Sequence, residues 1–290
     1  MPTAHNNAVE IYSEVFDPPV EAVADRAAAA GPRTLLMVNG LGSQCINYAA
    51  EWCQMFAATG LRVIRFDNRD VGLSTHFTDS PVGAAGECYR LSDMAADAIA
   101  VLDAAGIETA HVMGLSMGGM IVQMLAIEHP RRVASMTSVM STTGEAEYGA
   151  ATKEAMAQLT GPPATDRESH IANSIAGLRL WGSPEFADEA RWTADAGRAF
   201  DRCFDPAGTT RQFMAVRASG SRATALRDVR TPTLVIHGSR DTLIDPSGGR
   251  RTAELIPGSR FELIEGMGHD YPPQLWPRWV ELISGHIAGC

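Results

Sequence analysis

The sequence predicts an α/β protein: a mostly parallel central sheet with flanking helices, interrupted once by a helical insertion. Three observations predict it. Short, almost wholly apolar runs alternate with longer runs whose apolar residues recur at three and four positions. The alternation lapses over residues 141–227, and it resumes from 228 to the end of the 290-residue chain.

The strand-like runs of the first half are "RTLLMVNG" (33–40), "LRVIRFDN" (61–68), "AHVMGLS" (110–116) and "VASMTSVMS" (133–141). Between them stand "INYAAEWCQMFAATG", "LSDMAADAIAVLDAAGI" and "MGGMIVQMLAIEHP", helical in period and ended by Gly or Pro. Strands that are apolar on both faces and alternate with helices make a parallel sheet covered on both sides. The pattern returns with "TPTLVIHGS" (231–239), "RTAELIPG", "SRFELIEG" (259–266) and the amphipathic "QLWPRWVELISGHIAG". Residues 1–140 and 228–290 therefore form one core. The intervening 141–227 has no strand signal, and its segments "ATKEAMAQLTG", "ESHIANSIAGLRLWG", "FADEARWTADAGRAFDRCF" and "TTRQFMAVRASG" read as short helices. A structureless loop of that length is improbable in a compact protein, so it is taken as a helical cap. "ADRAAAAG" (24–31) reads as a low-complexity connector, and no internal repeat is present.

Composition removes several classes of function. A net charge of −10, with 34 acidic against 24 basic residues, opposes a nucleic-acid surface, which needs clustered Lys and Arg. No run approaches the ~18 uninterrupted apolar residues of a membrane span, and the first residues lack a basic stretch followed by an apolar one. The expectation is a cytoplasmic protein. Five scattered cysteines without C-x-x-C spacing fit reduced thiols rather than a disulfide frame or a zinc site. No metal or cofactor is invoked; whether the chain self-associates is left open.

Chemistry enters at "HVMGLSMGGM" (111–120), where Ser116 stands between Gly114 and Gly118 after a buried strand. Two readings compete: a glycine-bearing turn whose serine caps the next helix, and a nucleophile on a strained strand-to-helix elbow of G-x-S-x-G type. In a glycine-rich chain the pattern needs partners. They follow at later strand ends: Asp241 in "VIHGSRDTLIDP" and His269 in "LIEGMGHDYPP". Serine, acid, histidine, each just past a predicted strand and in that order, is the arrangement of nucleophile-elbow hydrolases. Asp245 is a rival acid, four residues on and before Pro246, where a helix-capping role is plainer. Asp270 is read as structural, as are His111, His129 and His237. Asp67, Arg69 and Asp70 of "DNRDVGLS" read as a buried ion-pair turn bracing the site.

On these residues the chain resembles the α/β-hydrolase fold over nearly its whole length. "DNRDVGLS" and "GLSMGG" are similar to the serine esterase branch that includes aclacinomycin methylesterase. There the acid lies in "HG-x-x-D", matched by 237–241, and the base in "GMGH", matched by 266–269. The resemblance also implies a cap inserted after the sixth strand, and an oxyanion donor at the Leu41 N–H in "NGLG", where Asn39 replaces a histidine common at that place. The elbow itself offers the Met117 N–H at the start of a helix.

The function expected is hydrolysis of a small-molecule carboxylic ester through an acyl-enzyme, with Ser116 as nucleophile, His269 as base and Asp241 as its orienting acid. Serine at the elbow excludes the dehalogenase and epoxide-hydrolase mechanisms, which need aspartate there. The same triad serves lactone opening, carbon–carbon bond hydrolysis and cofactor-free haloperoxidase or perhydrolase chemistry, and a receptor could keep the fold without turnover. Met140, Trp181, Trp192, Phe213 and Met214 are candidate pocket residues, with cap core as their plainer role.

Overall fold

The computed structural model describes residues 3–23, 33–80 and 88–290, so the connector at 24–31 lies outside the described residues. The chain begins with three strands that the sequence pattern did not single out. β1 (Ala4–Asn6) and β2 (Val9–Ile11) form a two-stranded antiparallel sheet, and β3 (Ser13–Phe16) joins the main sheet. Tyr12 separates β2 from β3: its N–H donates to Ser74 Oγ at 3.0 Å, and its carbonyl accepts from the Asp67 N–H at 3.0 Å. Strands of three or four residues are too short for a period-two pattern to stand out.

After α1 (Val20–Val23) the predicted alternation appears. It runs through β4 (Thr34–Val38), α2 (Ala50–Ala58), β5 (Arg62–Phe66), α3 (Leu91–Ala104), β6 (Ala110–Leu115), α4 (Met117–Glu128) and β7 (Val133–Val139). Five helices follow without a strand: α5 (Lys153–Leu159), α6 (Arg167–Trp181), α7 (Glu189–Arg202), α8 (Pro206–Ser219) and α9 (Ala223–Leu226). The chain returns with β8 (Thr233–Gly238), α10 (Ser247–Leu255), β9 (Arg260–Ile264) and α11 (Trp276–Ala288). Among the described residues the insertion thus follows the seventh strand in chain order, not the sixth, because the break at Tyr12 divides the run Val9 to Phe16 in two.

The main sheet has seven strands in the order β3-β5-β4-β6-β7-β8-β9, all parallel except the edge strand β3. Both faces of the central strands β4, β6, β7 and β8 are covered, which explains their apolar runs, while the edge strand β9 is only partly buried. In β4, Leu36 and Val38 join the core under α3 and α4, while Leu35 and Met37 join the core under α2 and α11. α3 buries Leu91, Met94, Ala95, Ala98, Val101 and Leu102, one face of a 3.6-residue period. On the other side Trp52 of α2 stacks on Trp276 with centroids 5.8 Å apart and meets Trp279 edge-on at 5.5 Å.

Four insertion helices start with a side-chain cap that local sequence supplies. Thr152, Asp166, Asp188 and Asp205 each accept a hydrogen bond from the backbone N–H three residues on. Pro206 follows Asp205 at the first helical position, where its missing N–H costs nothing. No helix among the described residues is long and apolar enough to cross a membrane.

The chain runs outward from β4 to β5 and then returns to the other side of β4 for β6. Such a reversal opens a crevice at the carboxyl ends of the two strands, where open α/β sheets bind ligands. The loops after β4 and β6, carrying Leu41 and Ser116, flank that crevice.

Candidate active site

β6 ends at Leu115 and α4 starts at Met117, so Ser116 alone makes the turn, with φ 56° and ψ −118°. A non-glycine residue held there costs about 1–3 kcal/mol, which the surroundings must offset. The Ser116 N–H donates to Val139 O at 2.9 Å, and the Ser116 carbonyl accepts from Ser141 Oγ at 2.8 Å. The neighbouring glycines are steric necessities. A Cβ on Gly114 would overlap the Gly118 carbonyl, one on Gly118 the Val38 carbonyl, and one on Gly119 the Ser141 side chain. Ser116 occupies the N-cap position of α4, yet its side chain makes no capping hydrogen bond. Of the two readings, the capping role is therefore not the one its hydroxyl plays.

Asp241 and His269 meet where β8 and β9 end. His269 Nδ1 lies 2.7 Å from Asp241 Oδ2, and the Asp241 side chain is fully shielded from solvent. The other oxygen, Oδ1, accepts from the N–H groups of Leu243 (2.9 Å) and Ile244 (2.8 Å). Burial pushes this carboxyl upward, but the charge of His269 and hydrogen bonds from His237 and His269 outweigh it and hold it at about 2. An ionised acceptor at Nδ1 means that Nδ1 carries the proton and Nε2 the lone pair. Asp245, the rival acid, is exposed, and its Oδ1 accepts from the Ser247 N–H at 2.9 Å at the start of α10.

The histidine loop folds back over β8: Met267 O accepts from Arg240 N–H at 2.9 Å, and Met267 shares a core cluster with Leu115 and Met140 next to the elbow. No hydrogen bond joins Ser116 Oγ to His269 among the described residues. Leu41 lies in the loop after β4, where a Cβ on Gly40 would come within 3.4 Å of Ser116 Cβ. The Leu41 N–H has no hydrogen-bond partner among the described residues, and the Met117 N–H is one of the unpaired donors that open a helix. Asn39 is buried and donates from Nδ2 to Phe66 O at 3.2 Å, while Asn68 Nδ2 donates back to Asn39 O at 3.0 Å.

"DNRDVGLS" is a buried ion-pair turn, as read from sequence, but two of its three partners come from the insertion. Arg69 pairs with Asp97 of α3 at 2.6 Å, Asp67 with Arg202 of α7 at 2.7 Å, and Asp70 with Arg211 of α8 at 2.8 Å. The insertion also grips the histidine loop. The His269 N–H donates to Trp181 O at 2.5 Å, the Gly268 N–H to Ser183 Oγ at 2.8 Å, and Ser183 N–H and Oγ both donate to Asp270. Asp270 is thus turned away into a structural clamp, and burial raises its carboxyl above the usual range.

Sequence reasoning missed Ser183, Arg202, Arg211 and Gln212, whose partners lie 85 to 170 residues away and leave no local signal. His237 was read as structural, and its fully buried Nε2 lies 2.8 Å from Ile244 O and 3.2 Å from Asp241 Oδ2. Of the five pocket candidates, Met140 is buried in the core at a positive φ of 41°. Trp181, Trp192, Phe213 and Met214 stand half-buried on α6, α7 and α8.

Fold and site geometry together define the class as hydrolytic enzymes of the α/β kind. The chain belongs to the alpha/beta hydrolase fold family, whose model matches residues 33–271. It is similar to rhodomycin D methylesterase DnrP of Streptomyces peucetius, at 30% identity over 97% of this chain and 96% of that one. It is also similar to rhodomycin D methylesterase DauP of Streptomyces sp. (strain C5), at 29% identity over 92% and 93%. These relatives bear out the resemblance to a methylesterase branch and support ester hydrolysis. Among solved structures, the enol-lactonase from Burkholderia xenovorans LB400 superposes with a TM-score of 0.76, at 20% identity over 99% of this chain and all of that one, a likeness of fold.

Proposed function

We propose that the protein hydrolyses a carboxylic ester through an acyl-enzyme on Ser116, with residues 141–227 as a cap over the site. The observation that carries this reading is the strained Ser116, its hydroxyl unused by the local structure, at the end of one strand while an Asp241–His269 pair forms at the ends of two others.

In the first half-reaction Ser116 Oγ attacks the ester carbonyl carbon and its proton passes to His269 Nε2. General-base pairs commonly close to hydrogen-bonding distance only with substrate bound. The negative oxygen that forms is met by the N–H groups of Leu41 and Met117, with the α4 dipole behind the second. Collapse breaks the ester C–O bond, and the leaving alkoxide takes the proton from His269. Water then attacks the acyl-enzyme, gives a proton to His269, and Ser116 leaves with that proton restored. Asp241 stays ionised throughout and stabilises the imidazolium at each attack.

The names of the relatives favour a methyl ester, so rhodomycin D is the first substrate to test. The decisive experiment combines turnover of that ester and of a short p-nitrophenyl ester with labelling by a fluorophosphonate. Wild type should turn over and be labelled, and Ser116→Ala should do neither while unfolding at the wild-type temperature. Binding without turnover would make the chain a receptor, and turnover by the Ser116→Ala variant would end the elbow reading.

A further inference from the structure

α8 meets the core loops after β4 and β5 through Gly208, Thr209, Arg211 and Gln212, and several of these contacts are to loop backbone. Gly208, in its first turn, packs so closely on Asp70 that a Cβ would overlap the Asp70 carbonyl. One residue on, Thr209 lies against Gly42, where a Cβ would sit 2.9 Å from Thr209 Oγ1. Arg211 forks onto Asp70 through Nε (3.0 Å) and Nη2 (2.8 Å). Gln212, fully buried, bridges both loops: its Oε1 accepts from the Gly42 N–H at 2.9 Å, and its Nε2 donates to Arg69 O at 2.7 Å.

Gly42 directly follows Leu41. Residues 40–43 form a turn closed by the Ser43 N–H on Gly40 O at 3.2 Å, with Gly42 at φ 67° and Leu41 at ordinary negative φ. That is a type II turn, whose third position needs glycine. In the trans peptide between Gly40 and Leu41, a carbonyl directed to Ser43 sends the Leu41 N–H to the opposite side. The base of the turn is therefore closed by its own backbone, while its tip is tied to Gln212. A primary amide suits this place, because one group satisfies a buried N–H and a buried C=O together.

We propose that Gln212 is a positioning residue for the oxyanion-binding turn, so that the cap, through α8, sets the geometry of transition-state stabilisation as well as the pocket. This rests on the reading of Leu41 as an oxyanion donor. Gln212 touches neither substrate nor reacting atoms in this role. It holds the turn that presents the donor, and preorganised donors lose their effect when allowed to wander.

The test uses the full-length enzyme and Gln212→Met, which keeps length and removes both hydrogen bonds, and Gln212→Glu, which keeps an acceptor for Gly42. Each is measured for kcat, KM and affinity for a boronic acid that forms a tetrahedral adduct on Ser116. Gln212→Met should lower kcat about 10- to 100-fold and weaken the boronic acid by a similar factor, with KM within about threefold of wild type. Gln212→Glu should fall between. Arg211→Met, which loosens the same helix one residue away, controls for a merely structural role. If activity in all three variants simply tracks melting temperature, or if Gln212→Met binds the boronic acid as tightly as wild type, the proposal is overturned. Should neither Gln212 variant fold, amide hydrogen exchange of Gly42 in wild type decides: protection supports the tie and rapid exchange refutes it. An inactive wild type, or an active Ser116→Ala, would instead bring down the ester-hydrolase reading on which this one rests.

Discussion

Replacing Asp241 by asparagine tests the acid assignment with almost no change of shape. The new Oδ1 can keep the hydrogen bonds from Leu243 and Ile244 N–H, and this orients the amide so that its NH2 faces His269 Nδ1 and His237 Nε2. An NH2 group cannot accept, so His269 must offer a lone pair at Nδ1 and carry its proton on Nε2. In that tautomer Nε2 no longer takes the serine proton. The expected loss in kcat is about 10⁴-fold, or about 5 kcal/mol in the barrier at 1.36 kcal/mol per decade. His237 keeps Ile244 O as acceptor but now faces a donor, which costs about 1–3 kcal/mol of stability. Asp245→Asn is the control. Its side chain is exposed and asparagine can still accept from Ser247 N–H, so kcat should hold and stability should change by less than about 1 kcal/mol. The assay is kcat/KM on a p-nitrophenyl ester for both variants, with thermal unfolding alongside. A loss below tenfold in Asp241→Asn, or a larger one in Asp245→Asn, would refute the reasoning.

The depressed Asp241 carboxyl, about 2 against 3.8 in an unconstrained chain, contributes stability that is full above about pH 4 and lost as pH falls through about 2, an increment of roughly 2 kcal/mol. Acid unfolding of wild type should steepen in that window, and Asp241→Asn should lack the increment. Arg211→Met leaves the buried Asp70 carboxylate without its cation and should cost about 3–5 kcal/mol, read by denaturant melts. Trp52→Ala opens the aromatic cluster under α2 and α11 and should cost about 3–5 kcal/mol by the same measurement, with the catalytic pH profile unmoved. Alanine at Trp181, Trp192, Phe213 or Met214 should shift the preferred ester size for at least one of them, a methylene in a pocket being worth about 1–3 kcal/mol. Equal losses across an ester series would place the specificity pocket elsewhere.

The sequence by itself determined what is local. Apolar runs marked β4 to β9 and apolar periodicity the core helices α2, α3, α4 and α11, because burial on both faces of a central strand and on one face of a helix is written into consecutive residues, while the four-residue α9 was not singled out. The elbow was legible for a related reason, since Gly114 and Gly118 are imposed by backbone within a few residues or on the adjoining strand, and Gly119 by the Ser141 side chain just past β7. Tertiary structure alone decided which groups face one another. It brought His237 to the carboxylate of Asp241, and took the insertion's Arg202, Arg211, Ser183 and Gln212 to the core loops. Those contacts span some 85 to 170 residues of chain for the serine and glutamine, and a hydrogen bond between distant residues constrains neither partner's neighbours. The three short N-terminal strands stayed hidden for a related reason: their pairing, not their own pattern, makes them strands.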